Sequence, residues 1–245
     1  MRPPMKRSFS FPIRYSEVDR EGRLSPVALL QMMQSAADGN ASSLSAGVAD
    51  LHAEGLTWAM IRMEMHLEPL PGLGRTLTVD TWPSGSARSF VYRDYRLYDE
   101  QGHLLGQATS TWLVLSLETR RMVSIPGYME ALLPPPPGSV PLPRSEGRLP
   151  QPAGPDRRQF DHQVRWFDLD ANGHAGNAQY LRWCLEALPP EVLRRPLAQA
   201  TFTIRAEAHL DDVLTVTASP LPDRSWTHSI QRGEGLLAQA LTQWG

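Results

Sequence analysis

Three polar side chains of different chemistry lie close together in the second half of the chain: Asp170, Asn172 and His174. A carboxylate can act as a general base or a nucleophile, and an imidazole can orient a water molecule or donate to a developing oxyanion. An amide can position the carboxylate. Such a set suits the transfer of an acyl group to water, but a DxNxH string alone is usually an ordinary turn. The position of this segment in the fold must decide whether it is a catalytic set or an ordinary turn.

That place is indicated by an internal repeat, because four segments of the first half recur in the same order in the second half. Any one match is weak, whereas an ordered series is hard to attribute to chance. The matched pairs are Ile13–Asp19 with Val164–Asp170, Ile61–Glu64 with Ile204–Glu207, Leu77–Val79 with Leu214–Val216, and Leu104–Ala108 with Leu236–Ala240.

Each copy begins with a strand, a polar turn and a helix. The first helix can be capped by Ser25, with Pro26 at its first position, and the second can be capped by Asn177. Four runs rich in β-branched and aromatic residues follow in each copy. The predicted strands are Ser8–Tyr15, Leu56–Leu67, Thr76–Pro83, Ser89–Tyr98 and Leu104–Leu117, then Gln159–Phe167, Ala200–Ala208, Val213–Ala218, Ser225–Gln231 and Leu236–Trp244.

A helix followed by a four-strand meander must bury its apolar stripe against the sheet. The sequence therefore predicts an α+β tandem (double) hot-dog fold, in which two antiparallel sheets each wrap around a long central helix and pair as a pseudo-dimer. The predicted units are residues 1–126, a proline-rich linker at 127–158, and residues 159–245. Because proline favours extended backbone, we expect the linker, with Pro134–Pro137, to lie over the surface.

The two copies differ in the turn before the helix. The first reads Asp19-Arg20-Glu21-Gly22-Arg23, so only the second, with Asp170, Asn172 and His174, assembles the candidate catalytic set. Free amides at the helix start, from about Ala175 to Gln179, would polarise the carbonyl of an acyl substrate. Glu207, expected in the strand after the helix, is a fourth catalytic candidate. Its counterpart Glu64 leaves open a structural role, with Arg205 or Arg62 as the partner.

Composition limits the other classes of function. The net charge of −2 and pI of about 6.4 give no argument for a nucleic acid or an anionic membrane as partner. The single cysteine, Cys184, excludes an intrachain disulfide and a CxxC zinc site, and we read it as a core residue. No apolar run approaches the roughly 18–20 residues needed to span a bilayer, and no signal core follows the basic start. We therefore expect a cytoplasmic protein.

The stretch Asp168–Tyr180 resembles the DLDxNxHxxNxxY signature of acyl-acyl-carrier-protein (acyl-ACP) thioesterases. Four shorter blocks of the first copy resemble the same family: Thr81-Trp82, Arg93–Tyr95, Ala108–Trp112 and Thr119–Arg121. The resemblance covers nearly the whole chain and implies a bacterial thiolester hydrolase with a double hot-dog fold, which releases free fatty acids from acyl-ACP during fatty acid biosynthesis.

Carried over by position, the resemblance implies that Asp170, Asn172 and His174 are catalytic. Glu207 keeps the family's acidic residue, but Ala208 replaces the cysteine proposed as a nucleophile, which favours attack by water assisted by Asp170 and Glu207. The first copy would then form the substrate tunnel. Its expected lining residues are Met32, Met33, Ser35, Ala36, Ala37 and Gly39, and the candidates for a basic entrance facing the acidic carrier are Arg88, Arg93, Arg96, Arg120 and Arg121.

Three alternatives remain open from the sequence. An acyl-CoA thioesterase of the same fold would differ only in the carrier. A hot-dog dehydratase or hydratase also uses a carboxylate and a histidine, although the loop ahead of the helix favours the thioesterase. A non-catalytic acyl-binding protein would not need Asp170, Asn172 and His174. The chain is expected to act as a monomer, already a pseudo-dimer, or as a homodimer.

No metal cluster, GxGxxG turn or P-loop is present in the sequence, so we expect no cofactor. Hydrolysis of an acyl thioester is therefore expected to survive EDTA and to need no nucleotide. The check is a comparison of initial rates before and after dialysis against the chelator. A rate that falls with EDTA and returns with an added divalent metal would contradict this prediction.

Overall fold

The computed structural model describes residues 5–130, 135–136, 139–145 and 147–245, and its elements fall into two halves with the same order. The first half contains β1 (Arg7–Pro12), a 3-10 turn (Tyr15–Glu17), α1 (Pro26–Ser43), α2 (Val48–Ala53), β2 (Leu56–Leu67), β3 (Thr76–Ala87), β4 (Phe90–Tyr98), β5 (Leu104–Ser116) and α3 (Gly127–Glu130). The second half contains β6 (Arg158–Gln163), a 3-10 turn (Trp166–Asp168), α4 (Asn177–Glu186), α5 (Pro190–Leu193), β7 (Leu197–Ile204), β8 (Val213–Pro220), β9 (Ser225–Arg232) and β10 (Gly235–Trp244).

All ten strands belong to one antiparallel sheet with the order β1-β3-β4-β5-β2-β7-β10-β9-β8-β6. Read from its outer edge to the centre, each half has the same strand order, so the repeat in the sequence is a repeat in the structure. The halves meet where β2 pairs with β7, from Arg62 opposite Thr203 to His66 opposite Gln199. The α+β double hot-dog fold is confirmed, with the two expected sheets hydrogen-bonded edge to edge into one.

The long helices α1 and α4 contact each other and share one hydrophobic core that extends through both halves. As predicted, Ser25 caps α1, since its Oγ accepts from the amide of Ala28 at 3.1 Å and Pro26 occupies the first helical position. Gly39 lets α1 approach β1, because a Cβ there would lie 2.8 Å from the ring of Phe9. No helix in the described part of the chain is long and apolar enough to cross a membrane.

Two local predictions for the second half are wrong. Asn177 does not cap α4: Gly176 holds the N-cap position, without a side-chain bond, and Asn177 is the first helical residue. The strand predicted over Ala200–Ala208 ends at Ile204, because the chain turns away there and the next two amides bond to the carbonyl of Leu237. Glu207 therefore lies in a loop.

The linker crosses the face of the sheet opposite the helices. Side chains alternate between the two faces of a strand, so Asp94, Glu64 and Gln239 point away from the buried neighbours that pack on α1 and α4. Each of the three binds the linker. Residues 131–134, 137, 138 and 146 of the predicted linker lie outside the described residues. The contacts are Leu142 N and Arg144 Nη2 to Asp94 (2.8 and 2.9 Å), Ser145 N to Glu64 Oε2 (3.0 Å) and Gln239 Nε2 to the carbonyl of Leu149 (3.1 Å).

Asp94 anchors the linker most firmly, because its fully buried carboxylate also accepts from Ser84 and Thr109, each at 2.8 Å. Asp94→Ala leaves all of these donors without their acceptor, so we expect the free energy of unfolding to fall by about 3 kcal/mol. Urea titration followed by circular dichroism measures the change. The control is Asp156→Ala at an exposed site, expected within about 0.5 kcal/mol of the parent protein. Equal losses in both variants would contradict the anchoring role.

Candidate active site

The turn that carries Asp170, Asn172 and His174 is closed by its own backbone. The amide of Asp170 donates to the carbonyl of His174 at 2.9 Å, and the amide of Gly173 donates to the carbonyl of Asp170 at 3.0 Å. Gly173 has a φ of +79°, a backbone conformation that glycine adopts at little cost. The turn therefore holds the three polar side chains together immediately before α4.

The carboxylate of Asp170 is the centre of this turn. Its Oδ1 accepts from the amide of Asn172 at 2.8 Å, and its Oδ2 lies 3.4 Å from Asn172 Nδ2. His174 Nδ1 lies 3.8 Å from Asp170 Oδ1, beyond a hydrogen bond but within the range of an ion pair. Asn172 Oδ1 is buried and has no protein donor among the described residues. The side-chain oxygen of Asn172 can thus accept a hydrogen bond from a water molecule or a substrate.

Glu207 reaches the same site from the loop after β7, which Tyr180 of α4 holds in place. The Tyr180 hydroxyl donates to the carbonyl of Ala206 at 3.3 Å and accepts from the amide of Ala208 at 2.8 Å. Burial raises the pKa of Tyr180 to about 12, so the hydroxyl keeps its proton and donates at neutral pH. The residues on both sides of Glu207 are therefore fixed by one phenol.

His174 and Glu207 meet, and an arginine of the first half joins them. His174 Nε2 lies 3.3 Å from Glu207 Oε1, and Arg120 Nη2 donates to that carboxylate oxygen and lies 3.1 Å from His174 Nε2. The structural partners that the sequence indicated for Glu207 do not bind it: Arg205 donates to Gln239, and Arg62 pairs with Glu64 at 3.0 Å.

The amides at the start of α4 are only partly free, which corrects the expectation for Ala175 to Gln179. The amides of Asn177 and Ala178 have no backbone acceptor among the described residues and so remain available as donors. The other three amides donate within the protein: Ala175 to the carbonyl of Ala208 (2.8 Å), Gly176 to that of Asp168 (3.0 Å) and Gln179 to that of Gly176 (2.9 Å).

A cavity of about 650 Å³ opens onto these groups. At one end the second half supplies Asp170, Asn172, His174 and Glu207, with neighbours such as Tyr180, and most of the remaining lining comes from the first half. The lining residues of the first half are predominantly apolar and include Ala37, Ala41, Leu44, Ala46, Val48, Trp58, Ala59, Met60, Pro83, Val91, Trp112 and Met129. The cavity therefore extends from a polar end in the second half into apolar walls of the first.

Only part of the predicted tunnel lining is correct. Ser35 and Ala37 line the cavity, whereas Met33 and Ala36 are fully buried in the core. Among the arginines expected at a basic entrance, Arg93 is buried beneath the sheet, where it donates to Asn40 Oδ1 at 2.7 Å, and burial lowers its pKa. Arg120 lies in the site itself. These two arginines therefore do not form an external docking face.

The corresponding turn of the first half is occupied by its own arginine. Arg23 donates to Asp19 Oδ2 from Nε at 3.1 Å and to the carbonyl of Leu193 from Nη2 at 3.2 Å. The cavity beside it measures about 240 Å³. Glu64, the counterpart of Glu207, remains within β2 and faces the linker. Arg23 therefore neutralises the carboxylate of Asp19, and it also lies within ion-pair range of the second acidic side chain of this turn, Glu21, with Nη2 3.8 Å from Oε2.

Among the residues that the structure describes, no group of three or more histidine, cysteine, aspartate or glutamate side chains is placed to hold a metal ion. All four residues predicted for the site, Asp170, Asn172, His174 and Glu207, lie together at the polar end of the cavity. Arg120 also lies at this site, whereas the sequence indicates only a basic entrance for it, because nothing local connects Thr119–Arg121 with His174, 54 positions further along the chain.

The fold and the site define a double hot-dog protein in which a cluster of polar side chains lies at one end of a largely apolar cavity. Family profiles described as the N-terminal and C-terminal domains of acyl-ACP thioesterases match residues 5–132 and 155–245. The chain belongs to the acyl-ACP thioesterase family.

Curated relatives support the same family. A chloroplastic acyl-[acyl-carrier-protein] hydrolase of Cuphea viscosissima is 29% identical over 253 residues, which cover 96% of this chain and 61% of that protein. A chloroplastic palmitoyl-acyl carrier protein thioesterase of Arabidopsis thaliana is 30% identical over 173 residues, which cover 67% of this chain and 42% of that protein. The chain thus spans about two fifths to three fifths of the length of the curated relatives it matches.

Solved structures agree on the fold. A 12:0-ACP thioesterase from Umbellularia californica has a TM-score of 0.87 at 24% identity, covering 99% of this chain and 98% of that one. An acyl-ACP thioesterase from Bacteroides thetaiotaomicron has a TM-score of 0.87 at 20% identity, covering 98% of both chains. At these identities the comparison supports the fold alone.

Cys184 allows a test of whether a thiol takes part in the chemistry. The side chain is buried in α4, and burial raises the pKa of the thiol to about 12, so the reactive thiolate is almost absent at neutral pH. We expect Cys184→Ser to keep the turnover of the parent protein apart from a modest packing loss. Iodoacetamide should modify the thiol only after denaturation, as measured by intact-protein mass spectrometry. Loss of turnover in a folded Cys184→Ser variant would contradict this.

Proposed function

We propose that the chain hydrolyses the thioester bond of fatty acyl-ACP and releases a free fatty acid, at a single site formed by Asp170, Asn172, His174 and Glu207. The observation that carries the proposal is the cavity, whose apolar walls end at these four polar side chains. A fatty acyl chain needs an apolar binding cavity, and hydrolysis of its thioester needs groups that activate water and stabilise an oxyanion.

The reaction assigns each group a task. Asp170 or Glu207 takes a proton from water as the water oxygen attacks the thioester carbonyl carbon. The free amides of Asn177 and Ala178 donate to the oxyanion that forms. Collapse of the tetrahedral intermediate breaks the C–S bond, and the proton passes to the departing sulfur of the carrier's thiol. His174 orients the water, and Asn172 holds Asp170 in place.

We further propose that the two halves have different roles. Residues 1–126 provide the acyl cavity, the linker at 127–158 joins the units, and residues 159–245 carry the catalytic turn. We also propose that the carrier is acyl carrier protein, that the chain acts as a monomer or homodimer, and that it works in the cytoplasm. The cytoplasmic location is consistent with the single, free Cys184.

The decisive assay presents the purified chain with acyl-ACP of defined chain lengths and with the matching acyl-CoA thioesters. Free thiol and free fatty acid are measured by a thiol reagent and by mass spectrometry. Hydrolysis of acyl-ACP with a higher kcat/KM than acyl-CoA supports the proposal, and the reverse order identifies an acyl-CoA thioesterase. Tight acyl binding without hydrolysis identifies a binding protein and contradicts the proposal.

Two matched substitutions test whether there is one site. Asp170→Asn removes a base or nucleophile from the polar end of the cavity, so we expect turnover to fall on the order of a hundredfold or more. Asp19→Asn makes the same change in the first turn, where the carboxylate binds Arg23, and should leave turnover largely intact. Thermal unfolding shows whether each variant is folded. Equal losses of turnover in two folded variants would contradict the single-site assignment.

A further inference from the structure

Arg120 is presented to the site by a tight turn that follows β5. The amide of Arg120 donates to the carbonyl of Ser116 at 2.9 Å, and the amide of Ser116 donates to the carbonyl of Arg121 at 3.0 Å. Arg120 has a φ of +54°, which is uncommon for a residue with a side chain. The turn therefore holds the backbone of Arg120 in an energetically unfavourable conformation. In this conformation its side chain points toward the other half of the molecule.

The contacts of Arg120 determine which nitrogen of His174 carries the proton. A guanidinium can only donate hydrogen bonds, so Nε2 of His174, 3.1 Å from Arg120 Nη2, must be the acceptor in this arrangement. The proton of a neutral His174 then resides on Nδ1, which faces Asp170 Oδ1 at 3.8 Å. Arg120 thereby aligns the imidazole N–H with the carboxylate of the catalytic turn.

Glu207 shows why this alignment needs the arginine. Its Oε1 lies 3.3 Å from His174 Nε2. Without Arg120, a carboxylate oxygen would face the lone pair of that nitrogen, and the repulsion would be relieved if the proton moved to Nε2 or if the two groups separated. With Arg120 present, a single Nη2 donates toward both groups. One cation therefore keeps two acceptors side by side.

We propose that Arg120 is a positioning residue, which fixes the tautomer of His174 and the place of Glu207 for the hydrolysis proposed above. The inference rests on that proposed function. Asp170 from the turn and Arg120 from the first half face the side chains of His174 and Glu207, and Arg232 Nη1 lies 3.5 Å from the backbone carbonyl of Glu207. The first half then contributes a charged group to the site as well as the cavity walls.

A docking role for the same arginine would have a different signature. Arg121 is the next residue of the turn and is exposed, and among the described residues its side chain makes no hydrogen bond or ion pair with His174 or Glu207. Loss of a docking charge raises KM and depends on salt, whereas loss of a positioning group lowers kcat. Arg121→Gln therefore provides a matched control, because it removes an equal charge from the same turn.

Steady-state kinetics with acyl-ACP separate the two roles. Arg120→Gln is expected to lower kcat about tenfold to a hundredfold with little change in KM, because a small misplacement of catalytic groups costs up to about a hundredfold. Arg120→Lys keeps one donor and should recover part of the loss. Arg121→Gln should keep kcat, and any contribution of its charge to docking would appear in KM. A rise of KM in both glutamine variants with kcat intact would overturn the positioning role.

Coupling to Glu207 provides a second measure that a purely structural role would not move. In a Glu207→Gln background, Arg120→Gln should lower kcat much less than it does in the parent protein, since its main partner has already lost its charge. Millimolar guanidinium should restore part of the kcat of Arg120→Gly, a substitution that also suits the positive φ. Fully additive losses without rescue would overturn the proposal.

Nitrogen-15 NMR reads the tautomer directly and does not depend on turnover. The signals of His174, one of seven histidines, are assigned by comparison with His174→Gln. We expect a proton on Nδ1 and a bare Nε2 in the parent protein, and a change of this pattern in Arg120→Gln but not in Arg121→Gln. An Nε2-protonated neutral ring in the parent protein would overturn the inference. A parent protein with the expected tautomer but no thioester hydrolysis would contradict the proposed function alone.

Discussion

The antiparallel pairing of β2 with β7 is the interaction on which the rest of the structure depends. It joins two five-stranded units into one sheet, so that Met63 and Met65 of β2 and Phe202 of β7 contribute to the same buried core. The helices α1 and α4 then pack against each other on one face of the sheet. A cavity with walls from one unit and polar groups from the other exists only because this junction holds both units in register.

The duplicated scaffold became asymmetric through two changes of length. Helix α1 has 18 residues and α4 has 10, and the C-terminal part of the longer helix supplies Ala37 and Ala41 to the cavity. Strand β2 continues past Glu64 to Leu67, whereas β7 stops at Ile204, the residue that matches Ile61. Glu64 therefore remains in the sheet and faces the linker, while Glu207 is released into a loop beside His174.

Local rules explain what could be predicted from the sequence. The repeat, the alternation of apolar residues and the cap at Ser25 depend on spacings of a few residues, and they led to the correct fold class and to the turn of Asp170, Asn172 and His174. The same rules failed at Asn177 and at the end of β7. Just before Asn177, the amide of Ala175 bonds to the distant carbonyl of Ala208, and just after β7 the amides of Arg205 and Ala206 bond to the distant carbonyl of Leu237. Hydrogen bonds to residues far along the chain therefore decided the backbone conformation at these two places, against the preference of the local sequence.

Arg120 could not be placed in the site from the sequence for the same reason. Its partners, His174 and Glu207, are 54 and 87 residues away, and they meet it only after β2 and β7 have paired. The sequence made Arg120 a candidate for a basic entrance instead, because an acidic carrier would favour arginines at the surface. The positive φ of that residue, visible only in the structure, indicates instead a backbone held for a particular contact.

Two ion pairs of the molecule, Asp94–Arg144 and Arg120–Glu207, differ in what they contribute. The Asp94–Arg144 pair, with a fully buried carboxylate, ties the linker to the outer face of the sheet. The Arg120–Glu207 pair is about a third and a quarter exposed, respectively, and a pair so accessible to water contributes about 0–1 kcal/mol to stability. Ordering two long side chains costs conformational entropy of similar size. Stability therefore does not account for the second pair, which instead agrees with the proposed role of Arg120 in aligning His174 and Glu207.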